Sequence, residues 1–271
     1  MINVLLTNDD GIQAQGLGAM RRALLEVPGV ELAVIAPDGN RSASGRSITT
    51  RSPLSVQEVE FNDGTTGFAT DGTPVDCVRF AALGLVESQP DLIVSGINHG
   101  ANLGDDITYS GTVAAALEGI ILGIPAIAVS QQSRRGEMDF RLGQHFDFDQ
   151  AASFVARVVE ELEEVPMPDR TLLNVNCPAG EATGVRPCRL GRRIYRDRLE
   201  LTEEVDGRRK YRIYGDAPGY HEEEGTDFAA VADGEIAVTP LHFDLNDAAG
   251  MEALGAFDLD RLLRPAAREV E

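Results

Sequence analysis

The residues of this 271-residue chain that could do chemistry fall in four short polar clusters. The first is Asn8-Asp9-Asp10-Gly11, placed directly after the apolar run "INVLLT". Two adjacent carboxylates at the mouth of a rigid strand repel one another, so they must both be solvated or share a cation. A second cluster, "APDGNRSASG", supplies the hydroxyls of Ser42 and Ser44; a third, "INHGANLGDD", supplies the amide of Asn98 and the ring of His99; the fourth is "YSGT". Asp9, Asp10, the hydroxyl of Ser42 or Ser44 and the Asn98 amide oxygen form an all-oxygen set. That set suits one hard divalent ion such as Mg²⁺ or Mn²⁺ and suits zinc poorly. Ser110-Gly111-Thr112 opens a helix, whose free backbone N–H groups and positive dipole end receive phosphate. The glycine-rich turn at Gly45 offers further backbone donors, and His99 is the candidate proton donor to a leaving alkoxide. A cation site beside an anion cradle means phosphate chemistry.

The elements that must position these groups are legible from apolar periodicity. "INVLL", "ELAVIAP", "DLIVSG", "IPAIAVS" and "TLLNVNC" read as buried strands. Between them, Leu17, Met20 and Leu24 follow helical spacing, and "TPVDCVRFAALGLVE" is a helix with Thr73 as N-cap and Pro74 in its first turn. "SGTVAAALEGIILG" is a helix capped by Ser110, and Phe154, Val155, Val158, Val159 and Leu162 share one face of another. Strand and helix in alternation predict an α/β fold: a doubly wound, Rossmann-like, mostly parallel sheet with helices on both faces. From about 180 to 225 the pattern breaks into Arg-rich, Gly- and Pro-punctuated sequence with pieces such as "YRIYG", read as an extended hairpin arm. "EIAVTPL" then returns as a strand, and "DAAGMEALGAFDLDRLLR" predicts a C-terminal helix. In such a sheet ligands bind beyond the carboxyl ends of the strands, and all four polar clusters fall on that edge.

Composition narrows the function. The formal charge is -20, which repels nucleic-acid backbones and anionic membranes, so neither a nucleic-acid polymer nor a membrane is an expected partner. Lys210 is the single lysine among 24 basic residues, and a surface so acidic and so poor in lysine suits high salt. Basic residues do cluster between Arg186 and Arg212, either as a solvated, partner-contacting arm or as a lure for anions. Cys77, Cys177 and Cys188 lack ligand spacing and read as buried thiols. No apolar run reaches the roughly 18 residues that span a bilayer, and the chain opens on a strand with no signal-like segment, so a cytoplasmic location is expected. Asp105 and Asp106 should order the loop before Ser110. Arg41 pairs with phosphate or with a neighbouring carboxylate, and His145, His221 and His242 read as structural.

The motifs "TNDDGIQAQGL", "APDGNRSASGRSIT", "GTPVDCV", "DLIVSGINHGANLGDDITYSGTVAAALEG" and "GTDFAAVADGEIAVTPL", in this order from Met1 to about Leu241, resemble the survival protein E (SurE) family of nucleotidases. The resemblance implies a metal-dependent phosphatase of 5′- and 3′-nucleoside monophosphates, in some members also of short polyphosphate. It implies one metal per subunit on Asp9, Asp10, Ser42 and Asn98, favouring Ser42 over Ser44, with Asp9, Asp10 and Asn98 catalytic. It also implies a homodimer or homotetramer built partly through the arm. The expected organisation is a catalytic core over residues 1–180, an oligomer-forming arm over 181–228, and a returning strand and C-terminal helix over 229–271. In-line attack on phosphorus by water is expected, an Asp nucleophile being the alternative. A dinucleotide-dependent oxidoreductase would share the architecture, but no G-x-G-x-x-G turn follows the first strand. A non-catalytic nucleotide sensor would keep the same cradle.

Overall fold

A computed structural model describes residues 1–138, 144–213 and 218–263. The strands are β1 (Ile2–Thr7), β2 (Val30–Pro37), β3 (Val56–Glu60), β4 (Thr66–Thr70), β5 (Leu92–His99), β6 (Ala126–Gln131), β7 (Thr171–Cys177), β8 (Val185–Pro187), β9 (Arg193–Ile194), β10 (Glu200–Val205), β11 (Arg208–Arg212), β12 (Gly219–Tyr220) and β13 (Ile236–His242). The helices are α1 (Gln15–Leu25), α2 (Pro74–Ala82), α3 (Gly111–Ile121), α4 (Asp149–Glu160), α5 (Asp227–Ala232) and α6 (Ala248–Gly255). Nine strands form one sheet in the order β3-β4-β2-β1-β5-β6-β7-β13-β8. β4, β2, β1, β5, β6 and β7 run parallel, while β3 and β13 are antiparallel to their neighbours β4 and β7.

Strand alternation sends apolar side chains to both faces, and each face has its own helix pair. Val4, Leu6, Val94 and Val129 pack with Leu17, Met20 and Leu24 of α1 and Val155 and Val159 of α4. Leu5, Ile93, Ala126 and Ala128 pack with Val78 and Ala81 of α2 and Val113, Ala116 and Ile120 of α3. The fold is therefore the doubly wound α/β sheet that the periodicity predicts. α2 begins as expected: Thr73 and Asp76 form a reciprocal capping box, with Pro74 in the first turn. It ends at Ala82, shorter than the quoted run. The three cysteines are free and buried, and burial pushes the Cys77 and Cys177 thiols up to about 12.

Three features depart from the sequence reading. β3 and β4 form an antiparallel hairpin at one edge of the sheet that the periodicity does not reveal. β3 is the polar, mostly exposed "VQEVE", the composition that an edge strand uses to discourage further pairing. The expected C-terminal helix is broken: α6 stops at Gly255, a helix-weakening residue, and a 3₁₀ turn follows at Leu259–Leu263. Residues 264–271 of that expectation, and the end of "YRIYG", lie outside the described residues. In the arm, β10 and β11 pair only with each other and every residue of both is exposed. Among the described residues no helix is long and apolar enough to cross a membrane.

Leu24 is fully buried between α1 and the sheet. Leu24→Ala is expected to destabilise the chain by about 2–5 kcal/mol, read from the denaturant midpoint at unchanged slope.

Candidate active site

β1 lies between β2 and β5, so the winding of the sheet reverses at the β1–β5 pair and leaves a crevice beyond its carboxyl end. A cleft of about 1260 Å³ opens there, and Asp9, Asp10, Ser42, Asn98, His99 and Ser110 all line it. Four loops far apart in sequence thus bring the expected chemistry to one place.

The tightest contact joins three of them. The Thr112 hydroxyl on α3 donates to Asp9 Oδ1 at 2.5 Å and lies 3.4 Å from Asn98 Oδ1, so one side chain touches the ends of β1 and β5 together. Gly111 makes this approach possible, because a Cβ there would sit 2.7 Å from the Asp9 Cβ. The Asn98 amide donates to the Gly100 carbonyl at 2.7 Å, which leaves its oxygen turned to Thr112. Asn8 braces the turn by bonding both the N–H and the carbonyl of Gly11, at 3.1 and 3.0 Å.

Asp9 is 3% exposed and the Asp10 side chain 7%. Burial, and after it the neighbouring Asp10, push the Asp9 carboxyl up to about 6, against the pull of the Thr112 hydrogen bond. Burial likewise pushes Asp10 up to about 6, although the His99 backbone N–H donates to it at 3.1 Å. No arginine or lysine among the described residues pairs with either carboxylate. Nor do any three His, Cys, Asp or Glu side chains among them cluster as a metal cage. Two uncompensated buried carboxylates, flanked by hydroxyl and amide oxygens, are a donor set that fits a hard divalent cation.

The Ser42 loop is pinned at several points. Asn40 accepts the Ser42 N–H at 2.8 Å and reaches Asp10 at 3.5 Å. Arg41 pairs with Asp38 at 2.6 Å, so it is a loop brace. Arg46 bonds the buried Glu118 of α3 at 2.7 Å, with Arg79 on the same carboxylate, and Asp76 of α2 accepts the Thr49 N–H and hydroxyl. Ser42 lines the cleft, whereas the Ser44 hydroxyl is buried without a hydrogen-bond partner among the described residues and does not line it.

Several expected roles come out differently. Gly45 donates its N–H to the Tyr109 carbonyl at 3.1 Å, so that turn ties two loops together and offers no free donor from Gly45 itself. Of the phosphate cradle, Ser110 faces the cleft, with its hydroxyl accepting the Val113 N–H at 3.1 Å; Gly111 and Thr112 lie against Asp9. His99 is stacked on Phe146 and Phe148, with ring centroids 5.2 and 4.9 Å away, and its Nε2 accepts the Gly16 N–H at 3.3 Å. Burial lowers the His99 pKa, which disfavours the imidazolium that a general acid needs. The geometry makes His99 a brace for Asp10. His145, expected to be structural, lines the cleft instead.

Residues 4–197 match the family described as Survival protein SurE. The chain is 51% identical over 266 residues to a protein of Rubrobacter xylanophilus named 5′-nucleotidase SurE, covering 97% of this chain and 99% of that one. A protein of the same name from Chloroflexus aggregans is 46% identical, covering 93% and 97% of the two chains. The crystal structure of SurE from Aquifex aeolicus superposes with a TM-score of 0.77 at 38% identity, covering 97% of this chain and all of that one.

The chain belongs to the SurE family. Around its site, this SurE chain carries supports that the sequence does not announce. Asn176 of β7 accepts the Asn102 N–H at 2.7 Å and donates to the Asn102 carbonyl at 3.0 Å, fixing the loop after Asn98 as a paired strand would. Asp106 pairs with the buried Arg193 and accepts the Tyr195 hydroxyl at 3.0 Å, and Asp105 accepts the Arg193 N–H at 2.7 Å, clamping the base of the arm to the loop before α3. The asparagines of "TLLNVNC", polar residues inside a buried strand, were the one available signal for the first support. Arg193 in an arginine-rich stretch gave none.

A carboxyl whose pKa rises on folding binds its proton more tightly folded than unfolded. Its contribution is therefore most favourable below the unfolded value of 3.8 and is lost as pH rises towards 6. Metal-free Asp9→Asn is expected to melt higher than the metal-free parent at pH 7.5, with the gap closing towards pH 4. A gap of the opposite sign at pH 7.5 in thermal melts would contradict the burial of an uncompensated charge.

Proposed function

We propose that this chain is a 5′-nucleotidase, a metal-dependent phosphatase that hydrolyses nucleoside monophosphates to nucleoside and phosphate. The observation that carries the reading is the Thr112 hydroxyl within reach of both Asp9 and Asn98, two residues that line one cleft together with Asp10 and Ser42. The relatives named 5′-nucleotidase SurE support it over nearly the full length. Asp9, Asp10, Ser42 and Asn98 would hold one divalent ion per subunit, Mg²⁺ or Mn²⁺. Such an ion, when bound, neutralises phosphate charge and lowers the pKa of a coordinated water.

The chain's own residues do the rest. Thr112 fixes the rotamer of Asp9, and the His99 backbone N–H fixes Asp10, so the carboxylates are aimed before substrate arrives. The start of α3, with Ser110 facing the cleft, directs its dipole at the phosphoryl group. Arg134 and Arg135 on the cleft wall attract an anionic substrate into an otherwise acidic protein. Whether the ester in some substrates is 3′, or a short polyphosphate, is set by the same cleft. The exposed β10–β11 hairpin supports an arm that joins subunits into a homodimer or homotetramer, and a cytoplasmic setting suits a chain of this charge.

Phosphate release from AMP, GMP, CMP and UMP with Mg²⁺, Mn²⁺ or EDTA, at low and multimolar salt, tests the reading. The metals should support turnover, EDTA should abolish it, and Asp9→Asn should lower it by about 100-fold or more. A protein that binds these nucleotides and releases no phosphate is a sensor, and the reading fails.

A further inference from the structure

The phosphate end of the cleft is furnished by the residues above, but a nucleoside monophosphate also carries a base, and nothing so far holds it. We propose that Tyr109 is the nucleobase platform of the cleft, an inference that rests on the nucleotidase reading.

Tyr109 immediately precedes Ser110, the N-cap of α3, and lines the same cleft as Asp9 and Asn98. Its backbone is held on both sides: its N–H donates to the Asp106 carbonyl at 3.0 Å, and its carbonyl accepts the Gly45 N–H at 3.1 Å. Asp106 is itself anchored by Arg193. The side chain is not held. Tyr109 is 53% exposed, and among the described residues its ring and hydroxyl form no hydrogen bond, ion pair or ring stack. Phe146, the other large aromatic on the cleft wall among the described residues, is already stacked on His99 and Phe148.

A large ring on a fixed backbone, one residue from the phosphate-facing helix start, offers apolar area at the cost of only two side-chain torsions. Every base has a π-face, so stacking on Tyr109 recognises bases as a class and discriminates weakly among them. The Gly45–Tyr109 bond also couples the platform to the loop that carries Ser42, so base and phosphate ends are set by one connected unit.

The test compares AMP with ribose 5-phosphate, which has the same phosphoester and no base. In the parent, kcat/KM for AMP should exceed that for ribose 5-phosphate by roughly tenfold or more, as base stacking elsewhere implies. Tyr109→Ala should collapse that ratio towards one, mainly through a higher KM for AMP, and Tyr109→Phe should restore it because the ring and not the hydroxyl is used. A ratio unchanged in Tyr109→Ala, or equal losses on both substrates, overturns the platform. A parent that hydrolyses AMP and ribose 5-phosphate equally well overturns it too, while leaving the phosphatase reading intact. A parent that hydrolyses neither overturns the phosphatase reading itself.

Discussion

Two like charges, side by side and out of water, are the constraint around which this fold is arranged. The sheet supplies what they need: β1 is flanked by strands on both sides and buried on both faces, so its carboxyl end cannot relax to let Asp9 and Asp10 separate. The α3 start brings a hydroxyl to one carboxylate, and the end of β5 brings a backbone N–H to the other. Neither contact cancels a charge. The apolar machinery of the sheet thus sustains a locally unfavourable electrostatic arrangement, as functional sites often do.

The loops that complete the site are fixed by arginine. Arg46 and Arg79 converge on the buried Glu118, Arg41 holds Asp38, and Arg193 holds Asp106. A guanidinium presents several donors in a planar fork, so one side chain can bond a carboxylate and a neighbouring carbonyl at once. Arg193 does this with Asp106 and the Met138 carbonyl. With Lys210 as its single lysine, the chain uses nearly all its positive charge in this geometrically demanding form. The Arg193–Asp106 pair and the Glu118 carboxylate lie under protein, where salt screens them less than it screens surface pairs such as Arg41–Asp38.

The winding of the sheet and the convergence of Asp9, Asp10, Ser42 and Asn98 on one cleft were legible because they follow from apolar periodicity and from the rule for carboxyl ends. What escaped the sequence was pairing at a distance. β3 is too polar to show a buried pattern, and only its partner β4 makes it a strand. Thr112 reads as a backbone donor of the phosphate cradle until its hydroxyl is found against Asp9, and Gly45 reads as a free donor until Tyr109 takes its N–H. His99 shows the same limit: type and position suggested an acid, and only the stacked Phe146 and Phe148 and the Gly16 N–H on its Nε2 revealed a half-buried ring held in place as a brace.

The place of β13 in the sheet has a consequence for biosynthesis. It lies between β7 and β8, antiparallel to the first and parallel to the second, although more than forty residues separate β8 from β13 in the chain. β8 therefore has no place in the sheet until the ribosome has released residues 236–242. Until then the nascent chain presents β7 as an open, apolar edge of seven completed strands, the kind of surface that chaperones shield.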